Sequence, residues 1–269
     1  MSHGAITPIE EILGRAESAG DIGAQADLLI EAASLYEATA EYDRAFLVRA
    51  TAYRLRPSAK ERATLERLVT LTGRLAELDA LLAETTPALP EAERAQAWCD
   101  LGRLRLQRLQ SPELALFALD VALALRPGGE AALLRADALA ELGRWRDVEH
   151  ALRAIVDGAG DGDERHHARL RLEKLARARG DVKALLALLD QRAALEPDDL
   201  SALREAAELS EGVDGAAAAV QRWVALRDRL PGEPEPLRAL EGFYQRRGRG
   251  RDRTEVLEAL IGLMESRRV

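Results

Sequence analysis

Four histidines, one cysteine, one acidic glycine-rich loop and one arginine-rich run are the parts of this chain whose residue types could do chemistry. The histidines are His3, His150, His166 and His167, and none sits in a His-Glu-x-x-His spacing that would place two zinc ligands on one helical face. No Gly-x-Ser-x-Gly elbow and no Gly-x-x-x-x-Gly-Lys phosphate loop occurs. Cys99 directly follows Trp98 and has no histidine nearby in sequence to activate it. It therefore reads as a small apolar residue at a packing face. A single cysteine can form neither an internal disulfide nor a multi-cysteine metal site. The segment DGAGDGD at 157–163 fails as a calcium loop: counted from Asp157, the third position is Ala159 and the twelfth Ala168, where acidic ligands are needed. It is expected to be a linker, with Asp161 or Asp163 capping the next helix. The run RRGRGRDR at 246–253 holds five arginines that could contact a polyanion, yet no aromatic lies within it to stack on bases; Phe243 and Tyr244 precede it. A solvated turn is the expected reading. These residues together imply no enzyme, no cofactor and no metal.

The bulk composition points the same way. The 269 residues include 38 basic and 46 acidic side chains, a net charge of −8 that disfavours a general nucleic-acid surface. Of the basic residues 35 are Arg and 3 are Lys, so arginine abundance reflects a codon bias more than a ligand. Apolar residues make up 47% and aromatics only 4%, so the core must be built from Leu, Ala and Val. No apolar run reaches the roughly 18 residues of a membrane helix. The first 20 residues lack the basic start and apolar centre of a secretory signal. A bacterial-type cytoplasmic setting is expected.

The elements that would have to position any site come from a repeat. Pro57, Pro127, Pro197 and Pro231 each follow a similar helix ending, at intervals of two, two and one units of about 35 residues. Pro90 supplies one missing mark. A proline just past a helix stops it. Within each unit, apolar residues at three- and four-residue spacing flank a tight turn, as Leu65, Leu68, Val69 and Leu71 do before residues 72–78 and Leu75, Leu78, Leu81 and Leu82 at and after it. No stretch alternates like a strand. The chain is expected to be all-α: a leading helix over 1–25, capped by Thr7 with Pro8 in its first turn, followed by seven helical hairpins at about 26–58, 59–92, 93–128, 129–163, 164–198, 199–232 and 233–269.

This pattern resembles the tetratricopeptide repeat. Tyr36, Tyr42, Ala45, Ala52 and Pro57 match its first unit; Trp98, Leu101, Gly102, Ala115, Ala122 and Pro127 match the third; Ala136, Gly143, Trp145 and Ile155 mark the fourth, and Ala207, Ala219 and Pro231 the sixth. Leu78 and Leu185 stand where the family prefers Ala, and GRGRDR interrupts the seventh unit. The resemblance implies a right-handed α-solenoid whose first helices line a concave groove that binds a protein or peptide partner. Carried onto this chain, those positions form charge bands. Lys60, Arg67, Arg103, His167, Arg171, Lys174, Arg177 and Arg204 are the cationic candidates, with Glu37, Asp100, Glu130 and Glu205 among the acids and Glu211 at the end of the sixth set. The bands either pair with each other across neighbouring helices or take a partner of opposite charge register. Some family members clamp a terminal carboxylate through Lys, Asn and Arg; this chain has no Asn, so that mode is not expected. The last helix places Val256, Leu257, Leu260, Ile261 and Met264 around over half its circumference, although a terminal repeat should be polar outside. A homo-oligomer through that helix is the alternative to a scaffold acting through its groove, and a peptide-sensing regulatory domain is a third.

Overall fold

The computed structural model describes residues 8–158, 161–210, 212 and 215–266. Among them fifteen α-helices and no strand occur. They are α1 (Pro8–Glu17), α2 (Ile22–Ala38), α3 (Tyr42–Leu55), α4 (Ala59–Thr72), α5 (Leu75–Thr85), α6 (Glu91–Gln107), α7 (Pro112–Leu125) and α8 (Glu130–Glu141). Then follow α9 (Trp145–Asp157), α10 (Gly162–Arg179), α11 (Val182–Leu195), α12 (Leu200–Ser210), α13 (Ala216–Arg229), α14 (Glu235–Arg246) and α15 (Gly250–Ser266). The all-α hairpin repeat expected from the sequence is what forms. No helix of the described residues is long and apolar enough to cross a membrane. The chain divides into two compact units, 1–151 and 152–269, and the division falls within α9.

A left-handed residue marks the turns between paired helices: Ala40 (φ 59°), Gly73 (74°), Gln110 (52°), Gly143 (69°), Gly180 (67°) and Gly248 (67°), with Gly215 (84°) at the start of α13. At five of these turns the following amide reaches back to close the helix end, as Glu41 N–H to the Tyr36 carbonyl (2.8 Å) and Arg144 N–H to that of Leu139 (2.9 Å). At Ala40 and Gln110 a side chain occupies a conformation that glycine adopts without strain. Side-chain caps start four helices: Asp21 accepts from Ala24 N–H (2.7 Å), Ser58 from Glu61 N–H (3.3 Å), Asp181 from Ala184 N–H (3.0 Å) and Asp199 from Ser201 N–H (2.9 Å). The expected cap on α10 is not made. Asp161 stands at its N-cap but its side chain accepts no capping bond, and Asp163 lies inside the first turn. Thr7 and part of the loop before Asp161 lie outside the described residues.

The second helix of each hairpin carries two adjacent stripes. One packs on its own first helix. In α7 that stripe is Ala115, Leu119 and Ala122, all buried, and a Cβ on Gly102 of α6 would lie 2.6 Å from Leu119 Cγ and 3.4 Å from the Ala115 carbonyl oxygen. The other stripe, one residue further on, meets the next hairpin. Phe46, Ala50 and Tyr53 of α3 share a cluster with Leu65, Leu68 and Val69 of α4. Leu186 and Ala193 of α11 share one with Ala202, Leu203 and Ala206 of α12. Hairpins with Ala at the crossing, α2–α3 and α6–α7, approach each other over many more residues than α4–α5 and α10–α11. The buried Leu78 and Leu185 take the crossing position in the latter two, and their bulk holds the helices apart.

Two stability changes follow from this packing. Gly102→Val overpacks the α6–α7 crossing and should cost about 1–3 kcal/mol in urea unfolding, and combining it with Leu119→Ala should cost less than the sum of the two single changes. Gln110→Gly should instead stabilise by about 1 kcal/mol, read as a higher urea midpoint at unchanged slope.

Candidate functional site

The first helices bring their charged residues to one face of each unit, and there the charges meet. Between successive first helices of unit 1, Arg67 of α4 pairs with Glu37 of α2, Arg62 of α4 with Asp100 of α6 at 3.0 Å, and Arg103 of α6 with Glu130 of α8 at 2.5 Å. In unit 2, Arg177 of α10 pairs with Glu205 of α12 at 2.6 Å, and Arg204 of α12 with Glu235 of α14 at 2.9 Å. The charge bands thus interlock across neighbouring helices. Of the eight cationic candidates, Arg67, Arg103, Arg177 and Arg204 are engaged in this way. Lys60, Lys174 and His167 are exposed, and His167 stands edge-on to His166 with ring centroids 5.8 Å apart. Arg171 is half-buried and also has a partner. Glu211 lies outside the described residues.

Three charged residues that the groove positions did not single out are buried beneath this face. Arg49 of α3 donates to Glu61 of α4 (2.5 Å), Glu37 of α2 (2.8 Å) and Ser34 (3.2 Å), and both Arg49 and Glu61 are buried. Glu37 therefore bridges Arg49 and Arg67. In unit 2, Glu173 of α10 is 1% exposed. Arg177 donates to it at 3.2 Å, and Arg192 Nε lies 3.1 Å from its Oε1 without the angle of a hydrogen bond. Burial pushes the Glu173 carboxyl above its ordinary range, against the opposing pull of Arg192 and Arg177. The hydrogen bond from Arg177 holds Glu205 below its ordinary range, and the hydrogen bonds of Ser201 do the same for Asp199. The sequence carried one signal of these networks: many charged partners lie about one repeat apart, as Arg54–Glu84, Arg74–Asp43 and Arg222–Asp190 also do.

Between α4 and α6 a cleft of about 550 Å³ opens. Tyr53, Pro57, Ala63, Leu89 and Ala92 supply apolar lining, and Arg62, Glu66, Glu93, Gln96, Asp100 and Arg103 supply polar groups. Arg62 spans it to Asp100, and Gln96 donates to the same carboxylate at 3.0 Å. Glu93 is exposed, and no described residue pairs with it. A smaller cavity of about 270 Å³ lies over Arg49 between Ser34, Glu37, Lys60 and Arg67. Of the candidate residues, Lys60 and Arg67 border the small cavity and Arg103 borders the large one.

The remaining candidates fall into structural places. Cys99 is buried, and burial pushes its thiol above the usual range, as expected of a packing residue. The arginine run turns back on its own hairpin: Arg247 lies over Phe243 at 5.6 Å, Arg249 over Tyr244 at 5.3 Å, and Arg253 donates to Glu241 at 2.6 Å. Val256 and Leu260 are not available as an association surface. They are buried against Leu240, Phe243 and Tyr244 of α14, because they form the stripe that packs on their own first helix. Leu257, Ile261 and Met264 remain exposed.

No protein-family model matches the chain, and no curated protein matches it at a significant level. Among solved structures, a chain of the complex of Naa15 and Naa10 bound to HypK-THB is 19% identical, with a TM-score of 0.55 over 87% of this chain and 35% of that one. YrrB, described as a tetratricopeptide-repeat protein with an unusual peptide-binding site, is 19% identical, with a TM-score of 0.46 over 75% of this chain and 98% of its own. The TPR2AB domain of yeast Sti1, in complex with pHSP90, is 12% identical, with a TM-score of 0.38 over 90% and 91%. At these identities the likeness is one of fold. Antiparallel helix pairs, left-handed turns at a regular interval and the small-residue crossing at Gly102 define this chain as a helical-hairpin repeat protein of the tetratricopeptide fold.

The buried carboxylate of Glu173 makes a pH prediction. Its folded value lies above the 4.5 of an unperturbed glutamate, so the native state binds the proton more readily than the unfolded chain. Its contribution to stability therefore grows as pH falls from neutral through the raised value. Asp199 and Glu205 act oppositely, and their contribution is lost only as pH falls below their ordinary 3.8 and 4.5. Thermal melts between neutral pH and about pH 5 should show wild type gaining on Glu173→Gln as pH falls. A constant difference between the two proteins would contradict the assignment.

Proposed function

We propose that this chain is a non-enzymatic protein-interaction scaffold that holds a segment of a partner protein in the cleft between α4 and α6. One observation carries the reading: a 550 Å³ opening between the first helices α4 and α6, spanned by the Arg62–Asp100 ion pair and lined by Tyr53, Pro57 and the unpaired, exposed Glu93. An apolar floor with a few convergent polar groups suits a side chain or a short turn of a bound segment. The bidentate Arg103–Glu130 pair and the Arg62–Asp100 bridge present fixed donors and acceptors, so charge register on the partner would set specificity. The matched chain of the Naa15/Naa10 complex, alike in fold, is itself seen in a complex with other proteins.

The test is to fill the cleft. Ala63 is exposed on its lining, so Ala63→Trp should leave the melting temperature nearly unchanged while blocking entry. Quantitative capture from the lysate of the source cells should then lose wild-type partners by about tenfold. Reversing Arg171 and Lys174 on α10 to Glu should leave the same partners bound. The opposite result, loss with the α10 pair and none with Ala63→Trp, would move the site to the second unit.

A further inference from the structure

The charges of the α4–α6 cleft are unevenly committed. Arg62 donates through Nε to Glu66 and through Nη1 to Asp100, both at 3.0 Å. Arg103 donates through Nε and Nη2 to the two oxygens of Glu130, at 2.9 and 2.5 Å, and lies 3.3 Å from Asp100. Each arginine that lines the cleft is therefore already held by two carboxylates. Arg126 joins the same network through the Gln96 amide oxygen at 3.2 Å. The carboxylates are served less evenly. Asp100 accepts from Arg62 and from Gln96, Glu66 has the single ion pair with Arg62, and exposed Glu93 pairs with no described residue. Within this network Glu93 is the odd carboxylate.

The surface beside these acids is apolar. Tyr53 is buried, and Pro57 and Leu89 are half-buried along the same lining. Glu66 and Glu93 both act on it. Burial raises the Tyr53 hydroxyl above its ordinary range, Arg62 and a hydrogen bond with Thr85 oppose the rise, and the two glutamates add to it.

Given the cleft as the partner site, we infer that the bound segment sets a lysine or arginine side chain there, with its methylene stem on Tyr53, Pro57 and Leu89 and its cationic head against Glu93 and Glu66. A long basic side chain uses both surfaces at once, an apolar wall for its stem and a carboxylate for its tip. An acidic residue in the same place would face Glu93 and Glu66 while both lining arginines stay bound to other carboxylates, and that juxtaposition is repulsive. An apolar residue would cover the wall and bring no partner to Glu93.

The probe is a bead library of octapeptides randomised at every position, screened with the fluorescently labelled full chain and read by sequencing the retained beads. A net charge of −8 attracts basic peptides to any part of the surface, so the beads that count are those lost with Ala63→Trp. These should carry Lys or Arg at one position about fivefold or more above the library frequency, and should be poor in Asp and Glu. Glu93→Lys should abolish that enrichment. In solution, Glu93→Gln should weaken the best such peptide several-fold, and should change its norleucine analogue, which lacks only the cation, by less than about twofold. Glu93 is exposed and unpaired among the described residues, so helicity and melting temperature should hold in both variants. Cleft-dependent peptides without a basic preference, or with one indifferent to Glu93, overturn the basic-residue assignment and leave the cleft as the partner site. Peptides retained equally by Ala63→Trp, or none retained by the wild type, overturn the cleft and the assignment with it.

Discussion

A helical hairpin of this size has more apolar surface than its own two helices can cover, and that constraint governs the rest of the molecule. The second helix of each pair presents two stripes one residue apart. One is used within the hairpin and the other is left for the next. Small residues at the crossing, such as Gly102 opposite Leu119, let the first stripe close tightly. The second stripe then holds the neighbouring hairpin through side chains as different as Phe46, Leu116 and Leu186. Where the first stripe carries Leu78, the two helices of the hairpin meet over fewer residues.

The charges are organised by the same geometry. Once the apolar stripes fix the spacing of first helices, residues about thirty positions apart come into hydrogen-bonding range. Arginine suits such sites because its planar fork binds a carboxylate with two parallel bonds, as Arg103 does with Glu130 and Arg177 with Glu205. Most of these exposed pairs add little stability individually. Their effect is to order the polar face, so that the free charges that remain, Lys60, Glu93 and Lys174 among them, stand out against a neutralised background. The buried Arg49 with Glu37 and Glu61 differs, since removing one partner there would strand a charge out of water.

Much of this was legible in the residues. Prolines at 57, 127, 197 and 231 and the three- and four-residue apolar spacing were enough for the hairpins, because helix periodicity and helix stops are local properties. The turn at 41–45 was marked by its acidic residues, but neither Ala40 nor Gln110 announces a left-handed backbone, which the helices they join impose. The candidate surface was read less completely. First-helix positions led to Arg67, Arg103, Arg177 and Arg204, but Arg49 and Arg192 lie on second helices, where periodicity marks a core stripe and gives no hint that a charge lies in it.

What the sequence determined alone was the repeat itself: all-α hairpins, their turns, the faces that must be buried and the charge bands along the first helices. Each is set by interactions within a few residues along the chain. What only the tertiary structure decided was the use of those faces. Arg67 and Arg204 are spent on neighbours, Val256 and Leu260 belong to the core while Ile261 does not, and a cleft lies between α4 and α6. Those outcomes depend on helix separation and on partners about thirty residues away, and no local pattern carries that distance.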